Sequence, residues 1–218
     1  MTNLLNIGAI HDAAMRTDPY PFASYEGTFK DVDRLLAAFP EDGFECHAQR
    51  RLLESLGRRE SDEWYRHNVR TRPLLNLGES SPHEPGELND VWLEVAEDLT
   101  SPEYRQALTE LTGFDVRSIP MQTHFWSFDG GASFKPHVDK PHKMVTHLMY
   151  LTENWDPSAG GSFLILGSDD VTDVVHSFPP YANHSLVLRR TDDAWHSVTP
   201  IPRGGRSRRL IQTWFWAS

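Results

Sequence analysis

The stretch "KPHVDKPHKMVTHLMYL", residues 135–151, gathers three histidines and an aspartate ahead of a run of bulky and β-branched side chains. It offers four candidate metal ligands: His137, Asp139, His142 and His147. In a strand, residues i and i+2 point to the same face. His137 and Asp139 would then set an imidazole and a carboxylate side by side, within reach of one ion. A third ligand must come from another strand, and His196 in "DDAWHSVTP", 57 positions after Asp139, is the best placed.

Two imidazoles and one carboxylate on one face of an octahedron form the donor set of non-haem Fe(II) oxygenases, with three positions left open. An H-x-D pair alone is common by chance. The sequel gives it weight, because an arginine cluster, "RGGRSRRL", follows His196. A guanidinium there can grip a dicarboxylate held at the metal. The other histidines read more plainly. His142 follows Pro141 in a loop and faces solvent or substrate, and His147 is a wall or outward residue of the next strand. Lys140 and Lys143 read as surface charges, with contact to an anionic substrate as the minority alternative.

Working outward, the chain changes period near residue 115. Beyond it, short β-rich runs at 119–128, 144–152, 162–167, 185–190, 195–200 and 209–216 alternate with turns. The turns are Asp129-Gly130-Gly131, Gly160-Gly161, Asn183-His184 and Gly204-Gly205. Many short strands with regular turns predict an antiparallel sandwich or barrel. Before residue 115 the spacing is mostly helical. "GTFKDVDRLLAAFP" places Phe29, Val32, Leu35, Leu36 and Phe39 at helical intervals, and "ELNDVWLEVAEDLT" does the same with Val91, Trp92, Val95 and Leu99. "SPEYRQALTELTG" is labelled at both ends, with Ser101 as cap, Pro102 in the first turn and Gly113 as stop. Residues 78–87 read as a polar loop. The expectation is a mainly β protein with N-terminal helices. It would be a single domain over 1–218, with 1–114 a mainly helical layer and substrate lid and 115–218 the catalytic core.

Composition narrows the function. The chain has 218 residues, 21 basic against 31 acidic side chains and a formal charge of −10. That charge disfavours a nucleic-acid partner, since phosphate backbones repel it. The single cysteine, Cys46, can form neither an internal disulfide nor a zinc cluster. No apolar run approaches the roughly 20 residues of a membrane helix. The first residues lack a cationic start followed by an apolar core, so a cytoplasmic location is the default expectation.

Residues 115–218 resemble the prolyl-4-hydroxylase-like branch of the 2-oxoglutarate/Fe(II)-dependent dioxygenases. The resemblance lies in "SFDGGASFKPHVD", in "VTHLMYLTENWDPSAGGSFLIL" and in "HSVTPIPRGGRSRRLIQTWF", which occur in the family's order. "SPEYRQALTELTGFD" resembles the helix before the core in small bacterial members. The resemblance implies a double-stranded β-helix (jelly-roll) core, Fe(II) on His137, Asp139 and His196, and 2-oxoglutarate as cosubstrate with dioxygen. For the arginine that binds the far carboxylate, counting forward from His196 gives Arg206 and counting back from Trp214 gives Arg208. The "IPRGG" loop is about two residues longer than usual, which favours Arg208 and leaves Arg206 as the alternative. Many members carry a tyrosine nine residues before the first ligand histidine. Phe128 stands there, so either the pocket is drier or the donor comes from elsewhere, with Tyr150, His124 and Trp126 as candidates.

The implied reaction is hydroxylation of an unactivated C–H, since Asp139 occupies the position that related halogenases leave small. Cyclisation, desaturation and epimerisation use the same triad. The expected substrate is a small molecule, an amino acid or a secondary-metabolite intermediate, with Trp126, Arg70 and Arg72 as contacts and His67 near them. The alternatives are the same chemistry on a peptidyl prolyl substrate and, in another class, a non-catalytic jelly-roll binding protein.

Overall fold

A computed structural model describes residues 3–46, 68–77 and 87–217. The elements, in chain order, are α1 (Ile7–Asp12), β1 (Phe22–Glu26), α2 (Val32–Ala37), β2 (Glu45–Cys46), β3 (Val69–Leu77), α3 (Asp90–Thr100) and α4 (Pro102–Thr112). The second half holds β4 (Met121–Phe128), β5 (Phe134–His137), β6 (Lys143–Tyr150), β7 (Phe163–Leu166), β8 (Val174–Phe178), β9 (His184–Arg189), β10 (His196–Val198) and β11 (Arg208–Trp216). His67 and residues 78–86 of the polar loop lie outside the described residues.

Two antiparallel sheets face each other. The large one runs β1-β9-β6-β11-β4-β3-β2 and the small one β5-β10-β7-β8. Strand alternation gives the large sheet two buried faces. One carries Met121, Phe125, Val145, Met149, Ile211 and Phe215, packed on Leu35, Trp92, Leu99, Tyr104 and Leu108 from the helices. The other carries Trp126, Phe128, Leu148, Tyr150 and Leu210, packed on Phe163, Ile165 and Val198 of the small sheet. This is the double-stranded β-helix, and its inter-sheet space houses the site.

The helix signals act as their chemistry dictates. Ser101 Oγ accepts from the Tyr104 amide, Pro102 opens α4, and Gly113 closes it with φ 64°. Asn89 caps α3 by accepting from the Trp92 amide. At the Gly160-Gly161 turn, a Cβ on Gly160 would run into the Pro200 carbonyl, and its φ of 69° also favours glycine. The segment before residue 115 is not only a helical layer, because β1, β2 and β3 extend the large sheet on both sides. β1 pairs with β9 from Phe22↔Leu188 to Glu26↔His184, and β3 pairs with β4 from Val69↔Phe128 to Leu77↔Met121.

Candidate metal and cosubstrate site

β5 and β10 are antiparallel partners, and their register sets His137 directly opposite His196. The two rings lie 4.2 Å apart. Both are locked in the same way. His137 Nδ1 donates to the Lys135 carbonyl at 2.8 Å and His196 Nδ1 to the Ala194 carbonyl at 2.9 Å. A carbonyl only accepts, so each Nδ1 carries the hydrogen and each Nε2 lone pair is left for a metal.

Asp139 follows two residues past the end of β5, so the H-x-D pair straddles a strand end rather than sitting within one. Its ligand atom and those of the two histidines all lie within 4.8 Å of one another. Asp139 Oδ1 accepts from Lys143 Nζ at 2.7 Å and Oδ2 from Thr146 Oγ1 at 3.0 Å. Burial alone would raise its pKa. The Lys143 ammonium outweighs burial, with help from His196 and His137, and holds it at about 2. Burial and the neighbouring His137 push His196 down to about 4, and burial also lowers His137. An ionised carboxylate and two neutral imidazoles are what a divalent cation requires.

Arg208 lies on the same inner face, opposite Phe128 on β4 and two residues before Leu210, which pairs with Tyr150 on β6. It is 1% exposed. Its Nη2 donates to Tyr150 Oη at 3.2 Å, and its guanidinium sits 4.5 Å over the Phe128 ring and 5.1 Å over Tyr150. Nε and Nη1 are buried with no hydrogen-bond partner among the described residues. An uncompensated buried guanidinium is costly, and a carboxylate is the group that matches its fork. The residues therefore fit a dianionic cosubstrate at one end and a divalent metal at the other. Thr146, which holds Asp139, and Tyr150, which faces Arg208, are four residues apart on β6, about 13 Å of strand.

The remaining sequence expectations divide clearly. Arg206 is exposed and reaches only toward the Glu153 and Asn154 carbonyls, at 3.4 and 3.5 Å, so it does not enter the inter-sheet space. Arg70 and Arg72, expected as substrate contacts, lie on the face of β3 opposite to Val69 and Thr71. Arg70 pairs with Asp129 at 2.7 Å, and Ser207 Oγ donates to the same carboxylate at 2.7 Å. The pair thus braces β3 and β4 against the start of β11. Arg72 pairs with Asp42 and the Glu87 carbonyl. His124 does share the inner face, but it packs 5.2 Å from Trp214 and stands four residues from Phe128, away from Arg208. Trp126 forms the wall between, 5.7 Å from Phe128 and 5.7 Å from Trp214. His142 is exposed.

His147 points to the helix side. It is fully buried, with Tyr104 Oη 2.9 Å from Nδ1 and Tyr25 Oη and Ser185 Oγ 2.8 and 3.2 Å from Nε2. Lys143, read from sequence as a surface charge, is buried against Asp139 and over the Trp214 ring at 4.8 Å. Burial pulls its pKa below the ordinary lysine range against the pull of Asp139. The only sequence signal for it was an opposite charge four residues after Asp139.

The comparisons agree with this geometry. Residues 121–216 match the family described as the 2OG-Fe(II) oxygenase superfamily. That segment carries the His137, Asp139 and His196 cluster, and both match an oxygenase that uses Fe(II) and 2-oxoglutarate. Its fold resembles that of a Pseudomonas putida prolyl-4-hydroxylase, with TM-score 0.59 and 20% identity over 97% of this chain and 98% of that one. It also resembles prolyl 4-hydroxylases from Phytophthora capsici, with TM-score 0.58 and 17% identity over 100% of this chain and 67% of that one. A viral collagen prolyl hydroxylase from Paramecium Bursaria Chlorella virus-1 follows with TM-score 0.51 and 12% identity over 90% of each chain. No curated protein matches the chain by sequence.

Proposed function

We infer that the enzyme hydroxylates an unactivated C–H of a small molecule, an amino acid or a secondary-metabolite intermediate, and releases succinate and carbon dioxide from 2-oxoglutarate. The observation that carries this reading is the pairing of one buried, incompletely satisfied arginine with one His-Asp-His cluster across a single inter-sheet space. Fe(II) with bound 2-oxoglutarate and dioxygen supplies the oxidising equivalent that breaks the C–H bond.

The chain's own residues do the positioning. His137 and His196 present Nε2, and their Nδ1 hydrogen bonds fix the ring planes. Thr146 and Lys143 hold the Asp139 carboxylate in its ionised form. Arg208 Nε and Nη1 receive the far carboxylate of the cosubstrate, and the Tyr150 hydroxyl donates beside them. This supplies a donor that Phe128 lacks, while the Phe128 ring offers its face to the guanidinium. Trp126, Phe128, Phe134 and Leu210 keep water from the reacting centre.

A second reading, the same chemistry on a peptidyl prolyl substrate, draws on the likeness in fold to the P. putida enzyme. A screen of free amino acids, their derivatives and proline-containing peptides, read by succinate release under air, separates the two. Free small molecules are expected to stimulate release. Stimulation by peptides alone would favour the second reading, and no stimulation by either would count against both.

A further inference from the structure

We propose that the substrate is a carboxylic acid, received by Lys143 beside Trp214. This deepens the small-molecule oxygenase reading and rests on it. Lys143 and Asp139 are an ion pair whose side chains are 11% and 14% exposed. The ammonium lies over the indole of Trp214. The Trp214 Nε1–H is buried without a hydrogen-bond partner among the described residues.

The charge balance makes the case. Among the described residues, the buried charges on this face are Arg208 and Lys143 against Asp139, a net +1. The two ligand histidines are neutral, with one hydrogen each on Nδ1. A divalent iron and the dianionic cosubstrate cancel each other when both are bound. The loaded site therefore keeps its single positive charge. Arg208 is by then occupied by the cosubstrate, and Arg190 is occupied by the Asp192 carboxylate and the Asp139 carbonyl. Lys143 is the cation left over, because the metal competes for the carboxylate that neutralises it. A buried positive charge of this kind is completed by one anionic group. A free carboxylate supplies it, whereas a residue inside a peptide chain has its α-carboxylate converted to an amide.

The rival explanation makes Lys143 a counter-ion for Asp139 and nothing more. The two differ in what they predict for acids and amides. The probe is the visible charge-transfer band of the wild-type Fe(II)·2-oxoglutarate complex under anaerobic conditions. To it are added the proteinogenic L-amino acids, their N-acetyl derivatives and the corresponding primary amides. Free acids are expected to perturb the band, and the matching amides to need at least about tenfold higher concentration, the loss of one charge-assisted contact. Lys143→Met should abolish that preference for acids and Lys143→Arg should retain part of it, each compared with its own Fe(II)·2-oxoglutarate band before any acid is added. Amides equal to acids, an unaltered preference in Lys143→Met, or a panel in which no acid perturbs the band would overturn the proposal. The acid–amide contrast in the wild type needs no variant to fold. If no band forms before any panel compound is added, the oxygenase reading itself has failed, which is a separate outcome.

Discussion

His137 and His196 are cross-strand neighbours whose rings lie 4.2 Å apart, and each hands its Nδ1 hydrogen to the carbonyl two residues behind it. The same local turn of the chain thus prepares two imidazoles, 59 positions apart in sequence, to present the same nitrogen to one point. Asp139 completes that point. His147 has no part in it, because the large sheet stands between them.

Replacement of the triad should therefore separate cleanly from replacement of His147. His137→Ala, Asp139→Ala and His196→Ala should each lose stoichiometric Fe(II) in equilibrium dialysis. His147→Ala should keep it, at a cost in stability. If His147→Ala loses iron as completely as His137→Ala, the ligand assignment is wrong.

Arg208 should show opposite effects on affinity and stability. Arg208→Met removes the buried fork, and two charge-assisted hydrogen bonds at about 1.5–3 kcal/mol each imply a rise of at least about a hundredfold in the 2-oxoglutarate dissociation constant. The free protein should be no less stable to urea, because a poorly satisfied buried charge has been removed. Tyr150→Phe should weaken cosubstrate binding by roughly 1 kcal/mol, about fivefold. Arg206→Ala should leave binding unchanged. Titration of each variant with 2-oxoglutarate, followed by fluorescence, decides the matter, and a large effect at Arg206 would reverse the assignment.

His147 should make the fold acid-sensitive. Burial depresses its pKa from 6.5 to about 3, so the neutral form is the one the folded protein holds. The unfolded chain takes up the proton below pH 6.5 and the folded one does not. Stability is therefore unaffected by this group above pH 6.5 and is lost as pH falls from 6.5 toward 3, at up to about 1.4 kcal/mol per pH unit. Urea denaturation of the wild type and of His147→Gln at pH 7 and pH 5 should show the wild type losing about 2 kcal/mol more. Equal losses would show that the imidazole does not carry the effect.

Much of this was legible in the sequence, and the exceptions have physical reasons. The core strands could be read because each alternates between two buried faces or closes at a turn with a required backbone geometry, as at Gly131, Gly160 and Asn183. The ends of α4 could be read because Ser101, Pro102 and Gly113 act within a few residues of themselves. β3 could not. "VRTRPLLNL" places Arg70, Arg72 and Pro73 in a strand, and Arg70 and Arg72 are accommodated only because Asp129 and Asp42 meet them there. β8 was missed because Val174 and Val175 are exposed at the edge of the small sheet, outside any core pattern. Lys143 was misread for a similar reason. Lysine belongs on the surface unless a carboxylate and an aromatic face are brought to it, and Trp214 arrives from 71 positions away.

The cap at Ser101 gives a local test of the helix layer that is independent of the site. Ser101→Ala removes the acceptor for the Tyr104 amide and should cost about 1 kcal/mol of stability without changing iron content. An unchanged urea midpoint would show that the cap carries no net stabilisation.

The most direct measurement of the central claim is the anaerobic visible spectrum of the wild-type protein on addition of Fe(II) and then 2-oxoglutarate. The weak charge-transfer band of a keto acid chelated to iron should appear only when both are present, and it should be absent in His137→Ala. A folded wild-type protein that binds Fe(II) and 2-oxoglutarate without developing the band, or that develops it equally well in His137→Ala, would contradict the account.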